Sequence, residues 1–221
     1  MPDFIHEILS TSYTSFILLA SGTNKTRGQF INKSLTNITK SKKLIDTQIQ
    51  AIGKYCKNSQ IVVSVGYESQ ALTRYILDKY PKIRIVENTN FKNTTPLETL
   101  RLCLNGCTES DTYIIYADRF FKSEAINIKN RSSPTIMESC DNKNKIDLGL
   151  VYDEKTFKRI SYGVKNKWSQ MFYLPKHFFY DFRKKVNESD KKYNNVYDVI
   201  NQVAPEYKFT VYKTKSVREI L

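Results

Sequence analysis

An aspartate that directly follows a buried apolar strand is well placed to hold a metal ion. This sequence has one at Asp118, closing the run TYIIYA at 112–117. Such a carboxylate loses water on one side and points beyond the strand end, and Mg2+ takes one or two carboxylates together with phosphate oxygens. A helix N-cap or a plain turn aspartate is the other reading of the same residue. A second feature lies near the start, in SGTNKTRGQFINKSL at 21–35. Gly22 and Gly28 permit close backbone approach, and turn N–H groups can cradle phosphate oxygens. Lys25, Arg27 and Lys33 add positive charge suited to a polyphosphate, with a solvated basic loop as the alternative. Both features follow strand-like runs, and ligands of open parallel sheets bind beyond the carboxyl ends of the strands.

What these segments lack narrows the chemistry. No GK[ST] follows Gly28, so the loop is not a Walker A motif, and GxGxxG is absent. The only histidines are His6 and His177, and no HxGH occurs. That scarcity argues against Ser-His-Asp and Cys-His catalysis. Cys56, Cys103, Cys107 and Cys140 form no CxxC pair and read as reduced, packed thiols rather than metal ligands.

The elements that must position these residues alternate in type. Runs at 14–20 (TSFILLA), 60–65 (QIVVSV), 82–87 (KIRIVE) and 112–117 read as strands. Helical patterns lie between them at 44–56, 69–80 and 96–107. Leu44, Ile45, Gln48, Ile49, Ile52 and Tyr55 keep helical spacing, and Pro96 suits a helix start. The alternation predicts an α/β fold: a Rossmann-like, mixed but mostly parallel sheet with helices on both faces. Beyond 121 the pattern changes. Segments 147–153, 157–164 and 169–174 read as antiparallel strands, 175–186 and 195–203 as helices, and 207–213 as a last strand. The polar stretch 122–146 reads as loops.

Lys and Arg total 35 against 22 Asp and Glu, a formal net charge of +13. That balance favours anionic partners: nucleic acid, anionic lipid or phosphorylated metabolites. The basic residues are spread along the whole chain, which argues against a nucleic-acid partner. No apolar run approaches the ~18–20 residues of a membrane span. The start, MPDFIHEILS, lacks the basic segment of a signal peptide, so a cytoplasmic location is expected. The sequence sets no oligomeric state.

Taken in order, the pieces resemble the sugar-nucleotidyltransferase family, with its GT-A-like fold, and within it the bacterial choline-phosphate cytidylyltransferases. LLASG at 18–22, Arg27, Lys33-Ser34-Leu35 and LIDTQIQAI at 44–52 look like the family's opening. VVSVGY at 62–67 resembles its second strand and turn. Val86-Glu87-Asn88 with FKNTTPLETLRLCL at 91–104 resembles the loop leading into a helix. TYIIYAD matches the strand carrying the first metal aspartate. Tyr197-Asp198-Val199-Ile200 is similar to the setting of the second, and YKFTVYKTKSVREI to the final strand and tail. Three departures stand out: the glycine loop is one residue longer and lacks its second Gly, Asn32 replaces a Pro, and Tyr116 stands where an acid is usual.

The resemblance implies a single domain over 1–221, with 1–121 binding nucleotide and 122–221 binding acceptor. It implies Mg2+-dependent transfer of a nucleoside monophosphate from a nucleoside triphosphate, CTP or UTP favoured, to a sugar phosphate or phosphocholine, with release of pyrophosphate. Nucleotide binding falls to Ala20, Ser21, Gly22, Thr23, Asn88, Thr94 and Thr95, catalysis to Arg27 and Lys33, and the metal to Asp118 and Asp198. A purely loop-structural role is an equal reading for Asn88, Thr94 and Thr95. Trp168 and Tyr173, with Tyr162, are candidates for an aromatic wall around a choline ammonium, and core packing is the alternative. Lys165 and Lys167 are candidates for the acceptor phosphate. Rival readings are a sugar-nucleotide-dependent glycosyltransferase, whose usual Asp-x-Asp is only half supplied by Tyr116-Ala117-Asp118, and a non-catalytic nucleotide- or nucleic-acid-binding protein.

Overall fold

Strand β1 (Thr14–Leu19) is buried at all six positions, and a strand apolar on both sides needs a layer of cover on each face. The computed structural model, which describes residues 13–22, 24–26, 29–140 and 148–220, provides that cover. In chain order, β1 is followed by a small hairpin, β2 (Asn24–Thr26) and β3 (Gln29–Ile31), and a 3-10 turn at Lys33–Leu35. Then come α1 (Leu44–Tyr55), β4 (Ser59–Val65), α2 (Ser69–Lys79), β5 (Arg84–Glu87), α3 (Pro96–Asn105) and β6 (Asp111–Tyr116). The second half carries β7 (Arg119–Phe121), β8 (Thr135–Ser139), β9 (Leu148–Asp153), β10 (Thr156–Tyr162) and β11 (Trp168–Leu174). It ends with α4 (Lys176–Glu188), α5 (Val196–Tyr207), β12 (Thr210–Thr214) and β13 (Val217–Glu219).

One sheet runs β5-β4-β1-β6-β11-β8-β12-β10-β9. Strands β5, β4, β1 and β6 are mutually parallel, β11 enters antiparallel beside β6, and β12 pairs parallel with β8. The expected α/β class and mixed, mostly parallel sheet are therefore present. One face packs Leu97, Leu100 and Leu104 of α3, Phe179 and Phe182 of α4 and Val199 of α5 into a core. The other face is covered by Ile45, Ile49 and Ile52 of α1 with Leu72 and Ile76 of α2. Helices α1 and α2 are joined by Asp46, which is fully buried. Its carboxylate accepts from Tyr75 Oη (2.6 Å), Lys79 Nζ (2.9 Å), Tyr80 Oη (2.8 Å) and the Lys43 N–H (2.8 Å).

The structure corrects the reading of 122–146 as loops. Thr135–Ser139 is a strand buried at every position, held between β11 and β12. A 3-10 turn at Ser123–Ile126 buries Ala125 and Ile126, while 141–147 lie outside the described residues. Strand β11 is antiparallel to both its neighbours, as expected, and is inserted into the middle of the sheet between β6 and β8. The strand expected at 207–213 starts at Thr210, since Tyr207 ends α5 and Lys208 breaks it with φ 48°, and it is not the last, because β13 follows.

Candidate active site

Three segments meet at the carboxyl ends of β1 and β6. The turn after β1 carries Ala20, Ser21 and Gly22. It is pinned from below: the Ala20 N–H donates to Ser64 Oγ (2.9 Å), and Ser21 Oγ lies 2.6 Å from Thr99 Oγ1. The Tyr67 N–H donates to the Ser21 carbonyl at 3.0 Å, and a Cβ on Gly66 would come within 2.6 Å of that same carbonyl oxygen. Only glycine fits at that close approach.

The 3-10 turn at Lys33–Leu35 supplies the second segment. Asn32 caps it, accepting from the Ser34 N–H at 3.1 Å, and its own amide donates to the Tyr67 carbonyl at 3.0 Å. Asn32, one of the three sequence departures, thus fastens the turn that holds Lys33. The third segment follows β6. The Ala117 N–H donates to the Leu19 carbonyl (3.1 Å), which brings Asp118 beside the β1 turn.

A cavity of about 260 Å³ opens between these segments, lined by Ser21, Gly22, Lys33, Ser34, Tyr116, Asp118 and Gln170 among others. Arg119, itself buried, ties its edge together. Its guanidinium lies 3.2 Å from Asp118 Oδ1 and 3.2 Å from Glu219 Oε2, and donates twice to Gln170 Oε1 (3.1 and 2.6 Å). Asp118 Oδ1 is buried and, despite that proximity, has no partner in hydrogen-bond geometry among the described residues. Glu219 sits 3.5 Å from both Lys33 Nζ and Lys167 Nζ. Burial works against its ionisation, but Arg119, Lys33 and Lys167 outweigh this and hold its carboxyl below the usual range. Burial and the nearby Asp118 both raise the Tyr116 phenol; its ring meets that of Trp168 edge-on, with centroids 5.9 Å apart.

The residues singled out in the sequence fare differently. Ala20, Ser21, Gly22, Lys33 and Asp118 all line the cavity. Thr23 and Arg27 lie outside the described residues. Asn88 is buried and donates to Thr94 Oγ1 (3.2 Å) and Thr99 Oγ1 (3.0 Å). Thr95 caps α3, accepting from the Leu97 N–H at 3.2 Å. These three side chains shape the loop that backs Ser21.

Asp198 is placed differently from Asp118. It belongs to the capping box of α5, accepting from the Asn195 N–H at 2.7 Å, and is not among the cavity-lining residues. Its charge does reach Tyr116 across the site. Tyr173 is a core residue, with its ring 4.9 Å from that of Tyr113 and its hydroxyl donating to the Arg131 carbonyl (3.1 Å), so it does not face the cavity. Trp168 is buried behind Tyr116, and Lys165 is exposed and outside the lining. The exposed aromatic near the site is Tyr162 (64%), edge-on to Tyr197 at 6.3 Å.

Glu219, Arg119 and Gln170 were not singled out. Gln170 had a faint signal, a long polar residue inside the apolar strand SQMFYL. Glu219 had none, because only the pairing of β13 with β7 brings it here.

The backbone has the sugar-nucleotidyltransferase fold. It is similar over 95% of its length to a CTP:phosphocholine cytidylyltransferase from Streptococcus pneumoniae, with 93% of that chain covered, a TM-score of 0.75 and 18% identity. An inositol-1-phosphate CTP transferase from T. maritima matches with a TM-score of 0.69 and 14% identity, covering 96% of this chain and 90% of that one. A putative glucose-1-phosphate thymidylyltransferase from Bacillus anthracis matches with a TM-score of 0.74 and 12% identity, covering 93% and 89%. No protein-family model and no curated protein sequence matches the chain.

Proposed function

We propose that the protein is a cytoplasmic, Mg2+-dependent nucleotidyltransferase that moves a nucleoside monophosphate from a triphosphate to a phosphorylated small molecule. The observation that carries this reading is the convergence of Lys33 and Asp118 on one cavity beside the β1 turn. A phosphate oxygen of the acceptor attacks the α-phosphorus in line. A new P–O bond forms, the bond from that phosphorus to its bridging oxygen breaks, and pyrophosphate leaves with the electron pair.

The chain's part is mainly position and charge. The Ser21-Gly22 turn and Lys33 hold the departing phosphates, with Thr23 and Arg27 assigned to the same loop. Asn88, Thr94 and Thr95 shape the wall beneath the nucleotide. Asp118 fits a divalent cation: its buried Oδ1, 3.2 Å from Arg119, has no hydrogen-bond partner among the described residues. Asp198, whose charge reaches Tyr116, and Glu219, joined to Asp118 through Arg119, are the two candidates for a second carboxylate there. A Mg2+ ion held by Asp118 and such a partner would offset charge on the α-phosphate. Tyr116 forms the acceptor-side wall, with Tyr197 and Tyr162 beyond it, and Lys167 replaces Lys165 as the nearby cation.

CTP or UTP is the favoured nucleotide, since two of the similar structures are named for CTP. Sugar phosphates and phosphocholine are the favoured acceptors. The test is a pyrophosphate-release screen crossing four nucleoside triphosphates with phosphocholine, hexose 1-phosphates and polyol phosphates. Release with CTP or UTP and one acceptor is expected, falling by about 10²–10⁴ in Asp118→Ala. Silence across the panel, or release of a nucleoside diphosphate, rejects the reading.

A further inference from the structure

Strand β11 makes a detour where it passes the cavity. Its register with β8 shifts between Trp168 and Phe172, and Gln170 takes φ 58°. That is left-handed backbone, which a residue with a Cβ adopts at a cost. Bulges of this kind re-aim a side chain, and strained residues persist where their surroundings hold them. Here the side chain lines the cavity with Asp118 and Tyr116.

The orientation of its amide is fixed by chemistry. Two N–H groups of Arg119 reach Gln170 Oε1, at 3.1 and 2.6 Å. A guanidinium only donates, so the amide oxygen must face it and the NH2 end must point elsewhere. Among the described residues, that Nε2 has no hydrogen-bond partner. The bulge and the Arg119 clamp together leave two N–H donors for a ligand.

Sheet order decides which ligand. The order β1-β6-β11 puts Gln170 on the far side of Asp118 from the Ser21-Gly22 turn. In an in-line displacement the attacking group approaches opposite the leaving group. With the leaving phosphates on the β1 turn and Lys33, the incoming oxygen arrives from the β11 side. We infer that Gln170 donates an N–H to the acceptor's phosphate and sets its angle of approach, an inference that rests on the transferase reading of this cavity.

Two variants test it, each with its own reason to stay folded. Gln170→Glu keeps the shape and the Arg119 partner but replaces the donor with a charged acceptor. Gln170→Gly removes the side chain and suits φ 58°. With Mg2+ and the panel acceptor that the wild type turns over, acceptor KM should rise about tenfold in Gln170→Gly and at least as much in Gln170→Glu. The KM for the triphosphate should not move. An unchanged acceptor KM in Gln170→Glu, or parallel shifts in both KM values, overturns the proposal.

Inorganic phosphate gives a readout independent of turnover. It should raise the thermal midpoint of the wild type and protect both variants less. In a protein that turns nothing over, weaker protection of the variants upholds phosphate recognition by Gln170 while the transferase reading falls. Equal protection of all three proteins, or none of the wild type, overturns the inference.

Discussion

Glu219 is held within 3.5 Å of three cations, Lys33, Arg119 and Lys167. A carboxylate in that position fixes where Lys33 points and keeps the cavity from being a bare cluster of positive charge. Glu219→Gln keeps the volume and removes the charge. We expect it to lower kcat by about 10²-fold and raise the Mg2+ concentration needed for half-maximal rate, with circular dichroism unchanged. Wild-type kcat and Mg2+ dependence in that variant would remove Glu219 from the site. The same residue shows the limit of reading a sequence. Asp118 was legible because its local context, the end of a buried strand, is itself the signal. Glu219 lies in a polar tail, and only a tertiary strand pairing gives it meaning. Asp198 carries a local signal of another kind: Asn195-x-x-Asp198 ahead of an apolar run is a capping pattern, and one of its oxygens fills that role here.

At the scale of elements, two contacts control whether the site is built. Asp46 holds α1 against α2. Burial alone disfavours its ionised form, but Tyr75, Lys79, the Lys43 N–H and Tyr80 donate to it and keep its pKa below the ordinary aspartate value. A lowered folded-state pKa means the stabilisation is complete above the unfolded value of about 3.9 and is lost as pH falls below it. Asp46→Asn should therefore show a shallower loss of stability between about pH 5 and pH 2 than the wild type; parallel acid-unfolding curves would contradict this. Asp46→Ala should cost about 2–3 kcal/mol in urea unfolding at neutral pH.

Gly66 is the other contact. A Cβ there meets the Ser21 carbonyl oxygen at 2.6 Å and Phe91 Cβ at 3.0 Å. Gly66→Ala should cost about 1–3 kcal/mol of stability and raise the triphosphate KM more than the acceptor KM, because the β1 turn must shift. Equal effects on the two KM values would argue that the turn does not hold the nucleotide. Most elements of the first half were legible, since long periodic runs such as 44–56 carry their own signal. β8 was not. Its sequence, TIMES, has two apolar residues among polar ones, and it becomes buried only through β11 and β12. Its Glu138 is accommodated by the Tyr152 hydroxyl (2.8 Å) and Lys213 (3.8 Å), partners that no local pattern announces.

Across the whole molecule, the parallel strands deliver the β1 turn and Asp118 to one edge, and the antiparallel insertion of β11 adds Gln170 opposite them. The α/β alternation foretold the first arrangement but not the second, because a strand's sequence does not name its neighbours. The net charge of +13 suits polyanionic ligands in general, and the proposed function narrows that to a triphosphate meeting a second phosphate. The claim beneath all of this is that the bond broken is the one between the α-phosphorus and its bridging oxygen. Phosphorus NMR of CTP or UTP, Mg2+ and the productive acceptor tests it directly. Pyrophosphate and a new asymmetric diphosphate should grow in one-to-one proportion, and both should vanish with Asp118→Ala. Accumulation of a nucleoside diphosphate, or of nucleoside monophosphate without acceptor product, would contradict it.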